Sequence, residues 1–313
     1  MRCLVVGLGS IGLRHADVLR TMGCDVAAVT ARKDTEVRAF EDLRVALEAH
    51  SPEYVVIAND TGLHGLTLTQ LAASGYRGVA LVEKPMLART DETLTLPAGP
   101  VYVGYTLRFH PALGRLFELA GSERLWSLSA YVGQYLPDWR PGRDYRQSYS
   151  SRSEDGGVVR DLSHELDYVQ WLAGRWQRTV AHGGHMSSLE IASEDVATVL
   201  ASTERCAHAT IHMNYLDRTA SRWIILNGSF GTIRADLVRG TIDVNGAETR
   251  LQADRNEMIR QQHASAMKGD DVRCCGVEDG LATVRWVDAI YRSMQDHCWV
   301  DESFSEKDEV KRS

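Results

Sequence analysis

The 313-residue chain has no C-x-x-C pair, no run of lysine and arginine, and no apolar stretch near the ~20 residues that a membrane span needs. Each absence removes a class of function. The six cysteines (Cys3, Cys24, Cys206, Cys274, Cys275 and Cys298) have no spacing suited to zinc, so no metal site is expected and reduced thiols are the plain reading. The formal charge of −7 and the lack of basic runs point away from nucleic acid and towards small-molecule partners. No internal repeat is visible. The start, "MRCLVVGLGSIGL", has a faint signal-peptide character, but glycines break it and a first strand-helix unit explains it better. A cytoplasmic location is the expectation. Hydrophobic residues at 44% and charged ones at 25% give an ordinary globular balance, with length for two packed domains.

What is present begins with "RCLVVGLGSIGLRHADVLRTMG", a G-x-G-x-x-G match. Such a match alone is weak, so its context decides between a dinucleotide site and a plain turn. Leu4, Val5 and Val6 form a short apolar run before it, as a strand buried on both faces requires. Ile11, Val18, Leu19 and Met22 follow at helical spacing, with Gly23 as a C-cap. Gly7 would allow the tight turn, Gly9 the approach of a pyrophosphate, and Gly12 close packing of helix on strand. The amides at the helix start would then face the phosphates.

Strands and helices go on alternating through the first hundred residues: Asp25–Val29, "FEDLRVALEAH", "YVVIA", "HGLTLTQLAASG" and "VALV". This predicts a doubly wound parallel sheet, with ligands at the carboxyl ends of its strands. Past Tyr105 come strand-like stretches with turns between them, among them "LWSLSAYVGQY", "HATIHMNYL" and "RWIILNGSFGTIRADL". Antiparallel pairing is expected there. The fold class read from this is α/β: a Rossmann domain over 1–105, an α+β domain with an open, mainly antiparallel sheet over 106–301, and a polar tail over 302–313.

Two places carry candidate chemistry. "EKPM" follows the fourth apparent strand, so Lys84 is placed to bring an ammonium to the ligand crevice; a solvated strand-end lysine is the bland alternative. In "RDLSHELDYVQWLAG", read as one helix over 161–173, Leu162, Leu166, Val169 and Ala173 make an apolar stripe. Asp161, His164 and Tyr168 fall on an adjacent arc. A carboxylate beside an imidazole tunes a general acid or base, although a capping aspartate and a surface histidine fit the same residues.

These motifs in this order, with "VVIANDTGLH" and "GYTLRFHP" between them and "EDGLATVRWVDAIYRSM" near the end, resemble the glucose-fructose oxidoreductase and inositol dehydrogenase (Gfo/Idh/MocA) family over residues 1 to 295. The resemblance implies a Rossmann domain followed by an open sheet domain, with substrate bound between them and a hydroxyl oxidised or a ketone reduced on a sugar or polyol. It assigns Lys84, His164 and Asp161 to catalysis. His164 would exchange the hydroxyl proton, Lys84 would bind the oxygen, and Asp161 would orient the imidazole. Gly7, Gly9, Ser10, Ile11, Gly12, Asn59, Thr61, His64, Glu83 and Lys84 would border the cofactor. Asp161 lies one residue closer to His164 than the family pattern has it, and Asp167 is an alternative supporting carboxylate. The segment between Pro85 and Val101 is too short for the helix the family usually carries there.

After the second strand the chain lacks the acid expected roughly twenty residues past the glycines, and offers Thr30, Arg32 and Lys33 instead. That choice puts NADP ahead of NAD. The linker "LPDWRPGRDYRQSYSSRSEDGG" is long and rich in arginine and tyrosine. Arg143 and Tyr145 are its candidates for a phosphate or carboxylate, and an interface arm or a lid is the alternative. Arg108 and His110 of "LRFHP" either line the substrate pocket or brace the structure. The linker also looks like a branch of the family found with bacterial surface-sugar synthesis. The family implies a homodimer or homotetramer. Two other activities stay open: a glycosidase that retains its NAD and oxidises only transiently, and a non-catalytic nucleotide-binding regulator.

Overall fold

Cys3, Leu4, Val5 and Val6 are all buried, yet they serve two different cores: Leu4 and Val6 face one side of a sheet, Cys3 and Val5 the other. That is why the run is continuously apolar rather than alternating. The computed structural model describes residues 1–91, 94–140, 142–302 and 311–312. In chain order the elements are β1 (Arg2–Val6), α1 (Ser10–Thr21), β2 (Asp25–Val29), β3 (Arg38–Phe40), α2 (Leu43–His50), β4 (Tyr54–Ile57), α3 (His64–Ala73), β5 (Val79–Val82), β6 (Thr95–Leu96), β7 (Val101–Val103) and α4 (Pro111–Ala120). They continue as β8 (Ser127–Gly133), α5 (Val158–Asp161), α6 (His164–Ala173), β9 (Trp176–Gly184), β10 (Val196–Thr203), β11 (Ala209–Asn214), β12 (Ser221–Gly228), β13 (Gly231–Asp236), β14 (Thr241–Val244) and β15 (Ala247–Arg250). The last are α7 (Arg255–Lys268), β16 (Cys275–Gly276), α8 (Val277–Asp296) and β17 (Val300–Asp301).

These elements fall into two compact units. In the first, a seven-stranded sheet runs in the order β16-β7-β5-β4-β1-β2-β3, parallel except for the terminal β16. The strand order reverses between β1 and β4, the place where a doubly wound sheet opens a crevice at its carboxyl ends. Leu68 and Leu71 of α3 and Ala46 of α2 pack on one face; Ala16 and Leu19 of α1 and Ala266 of α7 pack on the other. The unit therefore takes in 254–284 as well as 1–109, whereas the sequence reading runs the second domain unbroken over 106–301. The reason is coverage: α7 lies beside α1 and β5 and completes the face on which α1 packs. Between Pro85 and Val101 the described residues form β6 and no helix.

The second unit, 110–253 with 285–302 among the described residues, holds a nine-stranded sheet in the order β15-β14-β13-β12-β8-β11-β10-β9-β17. Every pair is antiparallel except β8 with β11. The β14–β15 hairpin turns on Asn245 (φ 54°) and Gly246 (φ 91°), the two left-handed positions that an Asn-Gly turn supplies. One helix was expected over 161–173. The chain instead breaks at Leu162 and Ser163, so that Asp161 closes α5 and His164 opens α6. Tyr168, expected off the core face, is fully buried. Of the expected tail over 302–313, residues 303–310 and 313 lie outside the described residues.

Candidate active site

Three hydrogen bonds align the carboxyl ends of the parallel strands: Gly7 N to Val29 O at 2.9 Å, Ala58 N to Val6 O at 2.8 Å, and Glu83 N to Ile57 O at 2.8 Å. Gly7, Asn59 and Glu83–Lys84 thereby stand along one edge. The three glycines of the turn differ in what they are for. Gly7 has φ +93°, and a Cβ on it would meet the Asn59 backbone at 2.6 Å; a Cβ on Gly12 would meet Gly7 O at 1.9 Å. Those two close the turn itself. A Cβ on Gly9 would meet nothing within 4 Å, so no neighbour in the chain demands glycine there. Gly9 caps α1 without a side chain of its own, and the first turn, including Ser10 and Ile11, holds no acid. An uncapped, acid-free helix start above a spare glycine suits a pyrophosphate.

Around this turn, the Oδ1 of Asn59 is buried and has no hydrogen-bond partner among the described residues, while its Nδ2 donates to Thr67 at 3.0 Å. Arg32 donates from Nη1 to Leu8 O at 3.1 Å, which lays its guanidinium across the turn. Its backbone N–H bonds the Thr30 hydroxyl, and Lys33 is exposed. These groups fit a dinucleotide. Thr61 is half-buried at the head of α3. His64 is spent otherwise: both ring nitrogens approach carbonyls, of Pro85 at 3.0 Å and Asn59 at 3.2 Å. Burial holds its pKa below the ordinary value, so it acts as a clamp between two strand-end loops.

Glu83 is the centre of a network that the sequence reading misses. Its Oε1 lies 2.8 Å from His15 Nε2, and its Oε2 accepts from the Lys84 backbone N–H at 3.2 Å. His15 Nδ1 lies 3.0 Å from His263 Nε2, and His263 Nδ1 lies 2.9 Å from the Tyr54 hydroxyl. His15, His263 and Tyr54 are completely buried. Burial by itself would raise the Glu83 carboxyl, but the bond from His15, with the Lys84 ammonium and backbone N–H nearby, brings it below the ordinary carboxylate value. No spacing rule links position 15 to position 263, so this chain of groups had no sequence signal beyond the histidine that follows the glycines.

In the second unit, Asp161 and His164 flank the Leu162–Ser163 break. Asp161 is buried and accepts from the Tyr215 hydroxyl at 2.7 Å; partial burial and the Asp161 charge push the Tyr149 hydroxyl upward. The short α5 is set in place by Glu194, which accepts from Val159 N at 3.1 Å and from the Tyr291 hydroxyl at 2.7 Å. A Cβ at Gly157 (φ +99°) would meet that carboxylate at 2.2 Å. His164 is half-buried, and Asp167 is buried in the first turn of α6.

A cleft of about 390 Å³ lies beside this cluster, lined by Trp139, Arg140, Arg143, Tyr145 and Gln147 among others. Trp139 sets its ring edge-on to Tyr215, and Arg140 lies over the Tyr149 ring, so the walls of the cleft back on Asp161. Asp144 also borders the cleft but pairs with Arg146 at 2.8 Å. Arg143 makes no ion pair among the described residues. The cleft thus keeps two guanidiniums in excess.

Arg108 and His110 are both buried and bonded within their own units. Arg108 is 1% exposed and donates to Asp279 at 3.2 Å and to Cys274 O at 3.4 Å, as a brace of the first unit. His110 accepts the Ala112 N–H at the start of α4 and bonds Leu237 O through Nε2, an arrangement that a neutral imidazole satisfies completely. Burial pushes it down to about 4.

Comparison with known proteins follows this architecture. Residues 1–97 match the model of the Gfo/Idh/MocA oxidoreductase family with an NAD-binding Rossmann fold, and residues 124–234 match the Gfo/Idh/MocA C-terminal domain. The chain belongs to the Gfo/Idh/MocA family. An inositol 2-dehydrogenase of Leifsonia xyli is 29% identical over 196 residues, which span 55% of this chain and 54% of that protein. A D-apiose dehydrogenase of Paraburkholderia graminis is 25% identical across 93% of this chain and 87% of its own length. Among solved structures, GenD2 of gentamicin A biosynthesis in complex with NAD shares 21% identity at a TM-score of 0.76, covering 97% of each chain. WlbA of Bordetella pertussis with NADH and UDP-GlcNAcA shares 20% identity at 0.77, covering 97% of this chain and 99% of its own. At such identities these Gfo/Idh/MocA structures establish the fold alone. No helix among the described residues is long and apolar enough to cross a membrane.

Proposed function

We propose that the protein is an NAD(P)-dependent oxidoreductase acting on a hydroxyl or ketone carbon of a sugar derivative that carries a phosphate or carboxylate. The observation that carries this reading is the shared strand-end edge. The spare Gly9, the open start of α1 and the orphaned Asn59 Oδ1 provide for a dinucleotide, and Lys84 follows on the same edge. A nicotinamide held at this edge would supply the hydride acceptor or donor. Lys84 binds the substrate oxygen and offsets negative charge as it develops there, and His164 takes the hydroxyl proton in oxidation and returns it in reduction. Asp161 supports the imidazole across the Leu162–Ser163 break, and Tyr215 holds its carboxylate in place. Arg32, lying over the turn with no acid at that strand end, favours the 2′-phosphate of NADP.

The substrate class rests on the cleft with surplus arginines. Two guanidiniums beside Trp139 suit a planar or tetrahedral anion better than the neutral hydroxyls of a polyol. The UDP-GlcNAcA bound by WlbA is of this kind, in keeping with a role in surface-sugar synthesis. The family's homo-oligomer is part of the same reading: the stacked rings of Tyr131, His212 and Trp223 on the half-buried face of the second sheet offer a surface for a sister subunit.

A panel of sugar phosphates, nucleotide sugars, sugar acids and neutral sugars, each offered with NAD and with NADP, tests the proposal by cofactor reduction. Anionic sugars are expected to be oxidised, and Arg143→Glu to weaken them by about 10-fold or more without affecting cofactor binding. Turnover confined to neutral sugars contradicts the substrate class. Sugar release without net cofactor reduction would favour the glycosidase alternative.

A further inference from the structure

We infer that His15 and His263 are positioning residues. With Tyr54 they form a one-way chain of hydrogen bonds that holds Glu83 as a carboxylate in a single rotamer and, through Glu83, fixes the start of Lys84. The importance of this for turnover rests on the reading of Lys84 given above; the chain itself does not.

The direction follows from donor and acceptor chemistry. An ionised Glu83 only accepts, so His15 Nε2 must carry a proton towards it across 2.8 Å. If His15 is neutral, its Nδ1 is then an acceptor and takes the proton of His263 Nε2 across 3.0 Å. His263 Nδ1 is an acceptor in turn and takes the Tyr54 hydroxyl proton across 2.9 Å. Every ring N–H, the Tyr54 O–H and every ring-nitrogen lone pair along the chain finds a complement. The other assignment puts a second proton on His15 and reverses both inner bonds. It leaves the fully buried Tyr54 O–H pointing at no acceptor among the described residues, a state that burial penalises.

The chain ends in the core. Tyr54 lies among Cys3, Cys24, Cys274 and Tyr76, and burial followed by those groups pushes its hydroxyl well above the ordinary value. It therefore offers no exit for a proton to solvent, and its service is to fix and polarise the group at the other end. That group is tied to the reaction edge. Lys84 donates its main-chain N–H to Glu83 Oε2, and Gly104 leaves the room, since a Cβ there would meet Glu83 Oε1 at 2.7 Å. The remaining charged or titratable groups that bear on Glu83 are Arg255 at the head of α7 and His64; Arg14 bears on Arg255.

The test reads the chain without substrate or cofactor. In the intact protein, nitrogen NMR of labelled histidines is expected to show His15 and His263 as neutral Nε2–H forms near neutral pH, and carboxyl carbon NMR to show Glu83 ionised. Tyr54→Phe, which removes one oxygen from a buried ring, should release His263 into a mixture of tautomers. His15→Gln keeps a donor for Glu83 and should leave its carboxyl ionised, whereas His15→Phe should raise its titration midpoint by about one unit or more. A doubly protonated His15, or a Glu83 midpoint that is the same in the Gln and Phe variants, overturns the proposal. If His15→Phe does not fold, the Tyr54→Phe and His15→Gln spectra still decide. Loss of turnover in these variants but not in Lys84→Met would reject the lysine's role and leave the chain standing.

Discussion

At the scale of the residue, Arg32 is the position where geometry and chemistry make the sharpest forecast. Its guanidinium is anchored at one nitrogen by Leu8 O, which leaves the rest of the fork for a phosphate. Arg32→Ala is expected to raise the dissociation constant for NADPH by about 10- to 100-fold and that for NADH by far less, as measured by fluorescence titration. Equal effects on the two would remove the phosphate role. The glycine turn and the strand-end place of Lys84 were legible in the sequence because both are local: a turn needs φ above zero at Gly7, and a strand end needs only the strand before it. The sequence left Arg108 and His110 open between a brace and a substrate contact, because a buried brace and a helix cap spell the same letters as a substrate contact. His15 and His263 lay further still from view, since only the packing of α7 on α1 brings them together.

At the scale of the element, α4 depends on a neutral histidine. His110 caps the helix through Nδ1, and its folded pKa is lowered to about 4 against an ordinary value near 6.5. The unfolded chain therefore takes up a proton before the folded one does. The stability due to this site is whole above pH 6.5 and is lost as the pH falls towards 4, by about 3 kcal/mol at most. Buried His263 and His64 are lowered as well and add to the same acid limb. His110→Asn keeps a capping side chain and removes the titration, so urea midpoints measured between pH 7.5 and 4.5 should fall less steeply than in the wild type. Parallel curves would place the acid sensitivity elsewhere. The break between α5 and α6 shows where periodicity misleads: apolar spacing runs through Leu162 and Leu166 unbroken, while Glu194 and Gly157 set an earlier start for the first turn.

At the scale of the whole molecule, the parallel and antiparallel sheets were readable from patterning, because the first has buried both-faced strands and the second alternates. The return of 254–284 to the first unit was not, since amphipathic spacing says that α7 needs a partner without saying which. In the proposed function, Lys84 and His164 serve a single hydride transfer. A double-mutant cycle tests it most directly, using the panel sugar that the wild type oxidises fastest and following cofactor reduction by Lys84→Met, His164→Ala and the pair. The account predicts that His164→Ala slows turnover by about 10²- to 10⁴-fold with cofactor affinity intact, and that the double variant is hardly slower than the slower single one. Losses that simply multiply, or normal turnover in either single variant, would contradict it.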